Sequence, residues 1–557
     1  MKSFRITKGT PMKILAVHAG HDAAAALYED YERIAVHKEE RLTRVKQDGR
    51  QLPLLSLQKI GEIVDFKEID LFLYNGFLFN YKHLRHWNWL KRMQYKYFRN
   101  DEKLLKEITD FIGLREDVET FQYNHHFAHA IPTLFYSKKW ENALLYTADG
   151  GGDHDYYSIH YFDGKTLTPL YEDLPSERKD ELNSIGQMYS YVTKALGFKA
   201  NRHEGKITGL AAYGKPSLAS EEIRKQYYID ENGFIRSHFK NGNDIRTFIF
   251  DLAKKVSRED LSFAAQIVLE DVMTESVKKL GERFGFTNIG LSGGVFANVK
   301  LNQRISELDF IEDMFVFPPM GDEGLVIGGV FEYLIAKNGF DDFLAHCVDG
   351  MEVPYWGEFF DVTRKEIPEA FSIVADENIV EKSVELLKNN KICAIFTQAM
   401  EYGPRALGAR SIIINPGDKS INDIVNKRLD RTEFMPFAPY VRKERVHDVF
   451  IFPESSLRAM KYMTVTCDVK EEWQEKIQAT VHVDNTARPQ TIVREDNPLY
   501  YDILHRFEEE TGIPCLVNTS FNAHEEPIIN TFEEALNALK HDRIDYLITD
   551  HFIIGNK

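Results

Sequence analysis

The sequence predicts an α/β protein with at least two domains. Its 557 residues are too many for one hydrophobic core. In the N-terminal half, two sets of strand-like runs each close on a glycine-rich loop. In the C-terminal half, segments of helical period alternate with short apolar strands at 499–520 and 532–555.

The N-terminal elements indicate a duplicated nucleotide-binding fold. Three runs separated by turn-length polar breaks, 13–19, 23–29 and 33–40, predict a strand meander. A second set starts at 143–153, where an apolar strand ends in Asp-Gly-Gly-Gly, and continues as strand, turn and helix at 288–305. No repeat is visible in the sequence itself.

The C-terminal elements predict a separate α/β domain. Residues 346–369 are mixed in character and rich in aromatics, which places a linker between domains 12–345 and 370–557. Strands are expected at 392–396 and 514–520.

Composition excludes several classes of protein. The chain is 43% hydrophobic and 28% charged, as in ordinary globular proteins, and no apolar run approaches the roughly 20 residues of a membrane span. The N-terminus lacks a signal-peptide pattern, and the four cysteines form no CxxC pair. We therefore expect a cytoplasmic protein that binds no membrane.

The net charge of −17 argues against general binding to nucleic acid. One stretch, 81–106, departs from this balance because it interleaves basic and aromatic side chains. It fits a solvated basic helix, or else a surface that follows phosphates and stacks bases of a DNA substrate.

Two histidines predict a metal site. His125 and His129 are four residues apart in N-H-H-F-A-H-A, so a helix places both on one face, whereas His126 points elsewhere. Asp149 and Asp322 lie in or beside glycine-rich turns, where they complete the ligand set or only shape the turn.

Three glycine-rich loops follow apolar runs, at 149–153, 292–298 and 321–324. Glycine lets backbone N–H groups approach phosphate, so Gly293, Gly294 and Asn298 are candidate nucleotide-binding residues. The chain has no GxxxxGK[ST] motif, which excludes the P-loop class.

An alternative of another class is a serine hydrolase. G-L-S-G-G (290–294) fits the nucleophile elbow, with Ser292 as the nucleophile. It leaves the histidine and arginine clusters unexplained.

Arginines cluster around a rigid turn in E-Y-G-P-R-A-L-G-A-R-S (401–411). Arg405 and Arg410 lie in it, and Arg428 and Arg431 follow. Flanking Pro and Gly favour an anion site over a surface ion-pair network.

Taken together, the chain resembles the NodU/CmcH carbamoyltransferase family from about residue 13 to 554. The resemblance depends on eight segments in the family's order: G-H-D-A-A-A-A-L (20–27), E-E-R-L-T-R-V-K (39–46), N-H-H-F-A-H-A (124–130), E-G-K-I-T-G-L-A-A-Y-G (204–214), G-G-V-F-A-N (293–298), E-Y-G-P-R-A-L-G-A-R-S (401–411), H-V-D-N-T-A-R-P-Q (482–490) and N-T-S-F-N (518–522).

This resemblance implies an ATP-dependent O-carbamoyltransferase with two half-reactions. A C-terminal domain of the YrdC type would convert carbamoyl phosphate and Mg²⁺-ATP to carbamoyl adenylate. An N-terminal domain of the actin/hexokinase type, like that of the threonylcarbamoyltransferases, would transfer the carbamoyl group to an acceptor hydroxyl beside a metal, Fe(II) or another divalent ion.

The resemblance also implies residue roles. The metal ligands would be His125, His129, Asp149 and Asp322. His21 would act as general base, with His126 as second choice, and Lys46 would neutralise the oxyanion or phosphate. Carbamoyl phosphate and the ATP phosphates would be held by Arg405, Arg410, Ser411, Arg431, Ser520 and Asn522.

One segment departs from the family pattern. Many members have K-x-R-E-x-F-R-P-F-A-P where this chain has L-D-R-T-E-F-M-P-F-A-P (429–439), so only Arg431 carries over clearly. The expected acceptor is a small molecule, sugar or nucleoside, with a hydroxymethylated pyrimidine in DNA as the alternative suggested by 81–106. The sequence does not determine the oligomeric state.

Overall fold

The computed structural model shows a chain of two compact units. The first comprises residues 1–138 and 321–349, and the second comprises 139–320 and 350–557. One boundary falls in the predicted linker, but the other two lie inside the predicted N-terminal domain, so its two strand sets belong to different units. The division into domains 12–345 and 370–557 stays a prediction. The structure describes residues 11–48, 52–75, 101–153, 155–171, 182–431 and 436–557.

The first unit is built on a five-stranded sheet of order β3-β2-β1-β4-β5. The first three strands are antiparallel and confirm the predicted meander, whereas β4 and β5 run parallel to β1. The central strand β1 is apolar and buried on both faces, as such a position requires. The strands are β1 (Lys13–His18), β2 (Ala24–Glu29), β3 (Glu32–Lys38), β4 (Leu71–Tyr74) and β5 (Glu119–Gln122).

Helices cover both faces of this sheet. Ile60 and Ile108 from two of them pack with Leu15 and Phe72 in the core of one side. The helix 325–338 packs against β1 and β4. The helices are Glu39–Thr43, Leu54–Gly61, Asp101–Ile112, His125–Phe135, Leu325–Asn338 and Phe340–His346.

The second unit begins with a sheet of the same plan. Its order is β12-β11-β6-β7-β8, with β6, β7 and β8 antiparallel and β11 and β12 parallel to β6. The same order and directions occur in both sheets, which confirms the duplicated fold predicted from the glycine-rich loops. These strands are β6 (Ala143–Gly152), β7 (Asp155–Phe162), β8 (Leu167–Tyr171), β11 (Asn288–Ser292) and β12 (Asp313–Val316). Two further strands, β9 (Tyr227–Ile229) and β10 (Ile235–Ser237), form a separate antiparallel pair.

The longest helix among the described residues of this part, Arg258–Phe284, has clear end signals. Ser257 caps its N-terminus by accepting from the Asp260 N–H, and Gly285 ends it at a φ of 66°. The other helices are Ile185–Ala195, Glu204–Ala211, Leu218–Arg224, Gly242–Leu252 and Val299–Ser306.

The C-terminal part of the second unit contains an eight-stranded mixed sheet of order β13-β23-β22-β14-β15-β21-β16-β20. A three-stranded sheet, β17-β18-β19, accompanies it. The predicted α/β class of this region is thus confirmed. The strands are β13 (Phe371–Ala375), β14 (Cys393–Phe396), β15 (Arg410–Ile414), β16 (Ala438–Arg442), β17 (Phe450–Ile451), β18 (Cys467–Val469), β19 (Thr486–Ala487), β20 (Gln490–Ile492), β21 (Cys515–Ser520), β22 (Tyr546–Ile548) and β23 (Ile553–Asn556).

Seven helices accompany these strands within the described residues: Ile379–Lys388, Ile421–Arg428, Val446–Val449, Leu457–Met460, Glu471–Gln474, Pro498–Thr511 and Phe532–Lys540. No helix in the described ranges is long and apolar enough to cross a membrane. All four cysteines are buried thiols, as their apolar surroundings suggested for Cys393 and Cys515. Most of the basic and aromatic stretch 81–106 lies outside the described residues, so the DNA hypothesis stays untested.

Candidate functional site

The helix His125–Phe135 presents two predicted metal ligands on one face. Asn124 caps it by accepting from the Phe127 N–H at 2.8 Å, so the helix begins at His125. The spacing of four residues places the His125 and His129 rings side by side, with centroids 4.8 Å apart. Both side chains are buried.

This histidine helix is fixed against the helix Leu325–Asn338. The Asn124 N–H donates to both carboxylate oxygens of Glu332, at 3.1 and 2.9 Å. Where the helices cross, a Cβ on Gly328 would lie 1.7 Å from the carbonyl oxygen of Ala128. Only glycine allows this approach.

The carboxylate of Asp322 lies among four histidines of the first unit. Its Oδ1 is 3.5 Å from His129 Nε2 and 3.8 Å from His125 Nε2. Its Oδ2 is 3.5 Å from the Nε2 atoms of both His18 and His21. The sequence predicted His125, His129 and His21 in functional roles, and the structure brings all three to one buried carboxylate.

The residues of this cluster fit a divalent metal. Two imidazoles and a carboxylate are ligands that zinc and iron accept, and the same set with open positions is typical of non-haem Fe(II) sites. Ligand atoms bound at about 2.1 Å to one ion lie roughly 3–3.5 Å apart. The distances from Asp322 Oδ1 to His125 and His129 are close to that range. In this arrangement His125, His129 and Asp322 would hold the ion.

His18 is a residue of this cluster that the sequence analysis missed. It ends β1 and is fully buried, and burial lowers its pKa to about 3 despite the nearby charge of Asp322. Its Nδ1 contacts the Asn75 Nδ2 at 2.7 Å, which makes Nδ1 an acceptor and leaves the proton on Nε2, facing Asp322. The signal was present: an imidazole ends an otherwise apolar strand three residues before His21.

Of the predicted catalytic residues, His21 is the accessible one. Its side chain is 47% exposed and lies beside Asp322, whereas His126 is buried with its ring 5.1 Å from that of His125. Lys46 is half-buried after the helix Glu39–Thr43, where the next N–H, of Gln47, donates to Glu40 at 2.6 Å. The roles assigned to these residues stay predictions.

In the second unit, two predicted glycine-rich loops meet. Asp149 lies near the end of β6, and its Oδ1 accepts from the Gly150 N–H at 2.5 Å. Gly293 has a φ of +97°, and a Cβ there would lie 2.3 Å from the Ala148 carbonyl oxygen. A Cβ on Gly294 would lie 3.3 Å from Asp149 Oδ1. Asp149 belongs to the second unit, so its predicted part in metal binding stays a prediction.

The side chain of Asn298, which was predicted to bind nucleotide, makes hydrogen bonds within the protein. It caps the helix Val299–Ser306 by accepting from the Leu301 N–H at 3.1 Å, and it exchanges two hydrogen bonds with Gln266, at 2.8 and 3.1 Å. The Asn before a helical run was a capping signal in its own right.

The hydrolase alternative is not supported. A nucleophile elbow exposes its serine at a strained turn. Ser292 is instead completely buried at the end of β11, and the positive φ falls on Gly293. A substrate has no access to such a hydroxyl.

The arginine turn 401–411 is held by a carboxylate that the sequence analysis did not single out. Glu401 Oε1 accepts from the backbone N–H groups of Leu407, Ala409 and Arg410, at 2.8, 2.7 and 3.0 Å. On the other side, the Leu407 carbonyl accepts from Tyr355, Tyr440 and Gln490. The turn is therefore a rigid platform.

The arginines of this region have different surroundings. Arg410 is fully buried, stacks on Phe396 at 3.7 Å and donates to backbone carbonyls, among them Thr397 at 2.7 Å. Arg428 forms an ion pair with Asp545 at 2.8 Å, so the ion-pair alternative holds for it. Neither arrangement directs the guanidinium to a ligand.

Arg405 differs from both. Burial lowers its pKa to about 10, and it donates to the Ala297 carbonyl at 3.1 Å. Among the described residues no carboxylate lies within 4.0 Å of it, and its Nε has no hydrogen-bond partner there. A partly buried cation without a carboxylate partner among these residues is a favourable place for an anion.

The structure also brings four other predicted residues together. Arg431 donates to the Ser520 carbonyl at 2.6 Å and to the Asn522 side chain at 2.6 Å. Ser411 pairs with Ser520 across β15 and β21, and its buried hydroxyl has no hydrogen-bond partner among the described residues. This pairing is non-local, which is why the sequence showed these segments only as separate polar loops.

Another histidine group, around Glu525 in the second unit, does not favour a metal. His203 Nε2 lies 2.6 Å from Glu525 Oε1. The Lys199 N–H donates to its Nδ1, so Nε2 keeps the proton and donates to the carboxylate. Lys199 and Arg202 pair with the other carboxylate oxygen. The cluster is an ion-pair network.

The duplicated fold, the histidine–carboxylate cluster and the arginine turn are those of an α/β protein with a candidate metal site and a candidate anion site. Residues 85–331 match the family Carbamoyltransferase N-terminus, and residues 384–556 match Carbamoyltransferase C-terminus. The chain belongs to the carbamoyltransferase family, which makes it an enzyme of carbamoyl transfer.

Relatives resemble the chain along most of its length. An uncharacterized protein of Methanocaldococcus jannaschii is 32% identical over 80% of this chain and 74% of its own. The nodulation protein NolNO of Sinorhizobium fredii is 28% identical over 96% of this chain and 79% of its own. Nodulation protein U of Bradyrhizobium diazoefficiens is 24% identical over 96% of each.

Proposed function

We propose that this enzyme forms carbamoyl adenylate from carbamoyl phosphate and ATP, and then transfers the carbamoyl group to a hydroxyl of a small acceptor. The observation that supports the transfer step best is the Asp322 cluster. It combines a metal-type donor set, His125, His129 and Asp322, with an accessible histidine, His21, on the same carboxylate.

In the first half-reaction, the turn 401–411 and the strand ends of β15 and β21 would bind the anionic substrates. Arg405 offers a partly buried positive charge, and Arg431 orders Ser520 and Asn522. The atoms balance if water releases phosphate from carbamoyl phosphate and the carbamate oxygen then attacks the α-phosphorus of ATP, which displaces pyrophosphate. The arginines would stabilise the charge on the phosphates.

In the second half-reaction, the acceptor oxygen attacks the carbamoyl carbon, its proton passes to His21, and AMP leaves. His21 Nε2 faces Asp322, which would orient the ring and stabilise the imidazolium that forms, so the opposite ring nitrogen, Nδ1, would take the proton. Lys46 would neutralise negative charge on the reacting carbonyl. A bound divalent metal, Fe(II) in our proposal, would supply Lewis-acid stabilisation of the leaving phosphate.

The first experiment separates the two half-reactions. The protein is incubated with Mg²⁺-ATP, carbamoyl phosphate and Fe(II) without acceptor, and pyrophosphate and carbamoyl adenylate are followed by mass spectrometry. We expect adenylate that depends on carbamoyl phosphate, and its loss in Arg405→Ala.

The matched control is Arg506→Ala, because Arg506 lies in an exposed ion pair with Glu509 and Glu510 of the same part of the chain. It should make adenylate at the rate of the wild type. Adenylate formation that Arg405→Ala leaves intact would contradict the assignment of the anion site. An acceptor panel of sugars, nucleosides and hydroxymethylated DNA then tests the acceptor.

A further inference from the structure

Lys38 is a buried lysine of the first unit to which no role has yet been given. It is the last residue of β3, directly before the helix Glu39–Thr43, and is 5% exposed. Lysine is almost never buried this completely unless its charge is paired. Its position therefore calls for an explanation from its partners.

Three buried carboxylates surround the Lys38 ammonium. Nζ lies 2.7 Å from Asp22 Oδ1, 3.4 Å from Glu40 Oε1 and 3.4 Å from Glu323 Oε2. Burial works to lower the pKa of Lys38, but these carboxylates outweigh it and raise the pKa above its usual value. The lysine is charged at every pH at which the protein would be assayed.

The carboxylates connect Lys38 to the candidate metal site. Asp22 directly follows His21, and Glu323 directly follows Asp322. Asp22 has a φ of +61°, a conformation that costs free energy for a residue other than glycine and persists only when surrounding contacts hold it. One ammonium group thus bridges the two segments that carry His21 and Asp322.

Stability alone does not explain such a group. Desolvating one ammonium and three carboxylates costs free energy that their attraction only partly returns, so apolar residues would hold the same segments at least as firmly. Hydrogen bonds and ion pairs fix orientation, which apolar contacts do not. The carboxylates of Asp22 and Glu323 both face Lys38 Nζ, and this contact also restrains the residues next to them in the chain, His21 and Asp322.

We propose that Lys38 is a positioning residue, whose ammonium fixes Asp22 and Glu323 and so holds Asp322 in the arrangement that binds the metal, with His21 beside it. This inference rests on the proposed function of the Asp322 cluster. Removal of an outer partner of a metal ligand typically weakens metal binding 10- to 100-fold, and we expect Lys38→Met to do so.

The test measures metal binding directly, with Co²⁺ as the probe, by titration of its visible absorption in the full-length protein. Lys38→Met should weaken Co²⁺ binding about 10- to 100-fold and leave pyrophosphate release without acceptor unchanged. Lys38→Arg keeps the charge and should recover part of the affinity. The control is Lys13→Met, which removes a partly exposed lysine of the same sheet, 2.5 Å from Glu68.

A double-mutant cycle with Glu323→Gln tests the route. If Lys38 acts through Glu323, Glu323→Gln should weaken Co²⁺ binding in the wild type but change it less in Lys38→Met. Equal effects in both backgrounds, or wild-type affinity in Lys38→Met, would overturn the proposal. If Lys38→Met does not fold, Asp22→Asn and Glu323→Gln decide it, because either should then weaken binding alone.

The Co²⁺ titration gives one result if the proposed metal role of the Asp322 cluster is wrong and another if only the role of Lys38 is wrong. A wild-type protein that binds no Co²⁺ and transfers the carbamoyl group without added metal contradicts the metal role of the Asp322 cluster. A wild-type protein that binds Co²⁺ no more tightly than Lys38→Met contradicts only the role of Lys38.

Discussion

The Asp322 cluster and the arginine turn 401–411 are both rich in polar groups, but these groups are used differently. Around Asp322, four imidazoles lie 3.5–3.8 Å from the carboxylate, which is longer than a hydrogen bond. In the arginine turn, the polar atoms make hydrogen bonds of 2.7–3.1 Å with one another. The first arrangement can accept an ion, whereas the second maintains a shape.

The difference shows that the partners of a side chain decide its role. Arg410 and Arg405 lie in the same turn, yet one is satisfied by backbone carbonyls and the other lacks a counter-ion among the described residues. Phosphate could neutralise the charge of Arg405, whereas the predicted phosphate contact of Arg410 stays a prediction.

The largest effect is expected from His129→Ala, which removes one ligand-type side chain from the Asp322 cluster. Carbamoyl transfer should fall about 1000-fold, equivalent to about 4 kcal/mol of transition-state stabilisation. Pyrophosphate release without acceptor should stay at the wild-type rate, because the arginine turn is unchanged. Both rates are measured on the same preparation.

The control for this variant is His346→Ala, at a half-exposed histidine of the same unit that stacks on Tyr31 at 4.2 Å. It should transfer normally. If His129→Ala transfers at the wild-type rate, the contrast between the two regions is lost, because the Asp322 cluster would then have no part in the transfer step.

Arg410→Met should lower the stability of the second unit by about 3 kcal/mol. It leaves buried carbonyls of Thr397 and Ala409 without their donor. Urea unfolding measures the change. Arg428→Met, which breaks a partly exposed ion pair, should cost no more than about 1 kcal/mol. Similar costs for the two variants would mean that Arg410 is not part of the framework.

Gly328→Ala should destabilise the first unit by about 2 kcal/mol, because the added methyl must displace the backbone at Ala128. The histidine helix would shift with it, so Co²⁺ binding should weaken as well. Gly205→Ala, where nothing lies within 4 Å, is the control and should change stability little. Unchanged Co²⁺ affinity in Gly328→Ala would show that the cluster tolerates movement of its helix.

The smallest effect concerns the network around Glu525. Partial burial works to raise the pKa of this carboxyl, but hydrogen bonds from Lys199 and His203 outweigh it and lower the pKa to about 2. Because the folded pKa is lower than the usual 4.5, its stabilisation is complete above about pH 4.5 and is lost as pH falls toward 2.

Glu525→Gln should remove this part of the pH dependence. Its stability relative to the wild type should differ by less than about 1 kcal/mol at neutral pH and by less still at pH 3, because the carboxyl is partly exposed. Thermal unfolding across that range measures it. A wild type that keeps its full advantage over Glu525→Gln at pH 3 would contradict the lowered pKa.

Local patterns predicted much of the fold and part of the site. The meander 13–40 follows from three short strand-like runs and the polar breaks between them, and the histidine helix follows from its four-residue spacing. Glu401 was missed because its three N–H partners lie six to nine residues away in a turn whose conformation no local rule fixes. Lys38 was missed because a lysine followed by two glutamates is a pattern typical of an exposed charged segment.

The sequence by itself determined the α/β class, the glycine-rich turns, the HxxxH pair and, through eight ordered motifs, the family. These features depend on spacing within a few residues, which helix and strand periods convert directly into faces and turns. Only the tertiary structure decided which arginine is buried against carbonyls, that His18 joins Asp322, and that Lys38 bridges the segments of His21 and Asp322. Such contacts join residues as many as 304 positions apart, as His18 and Asp322 are, and their energies come from shared burial, which no local sequence pattern predicts.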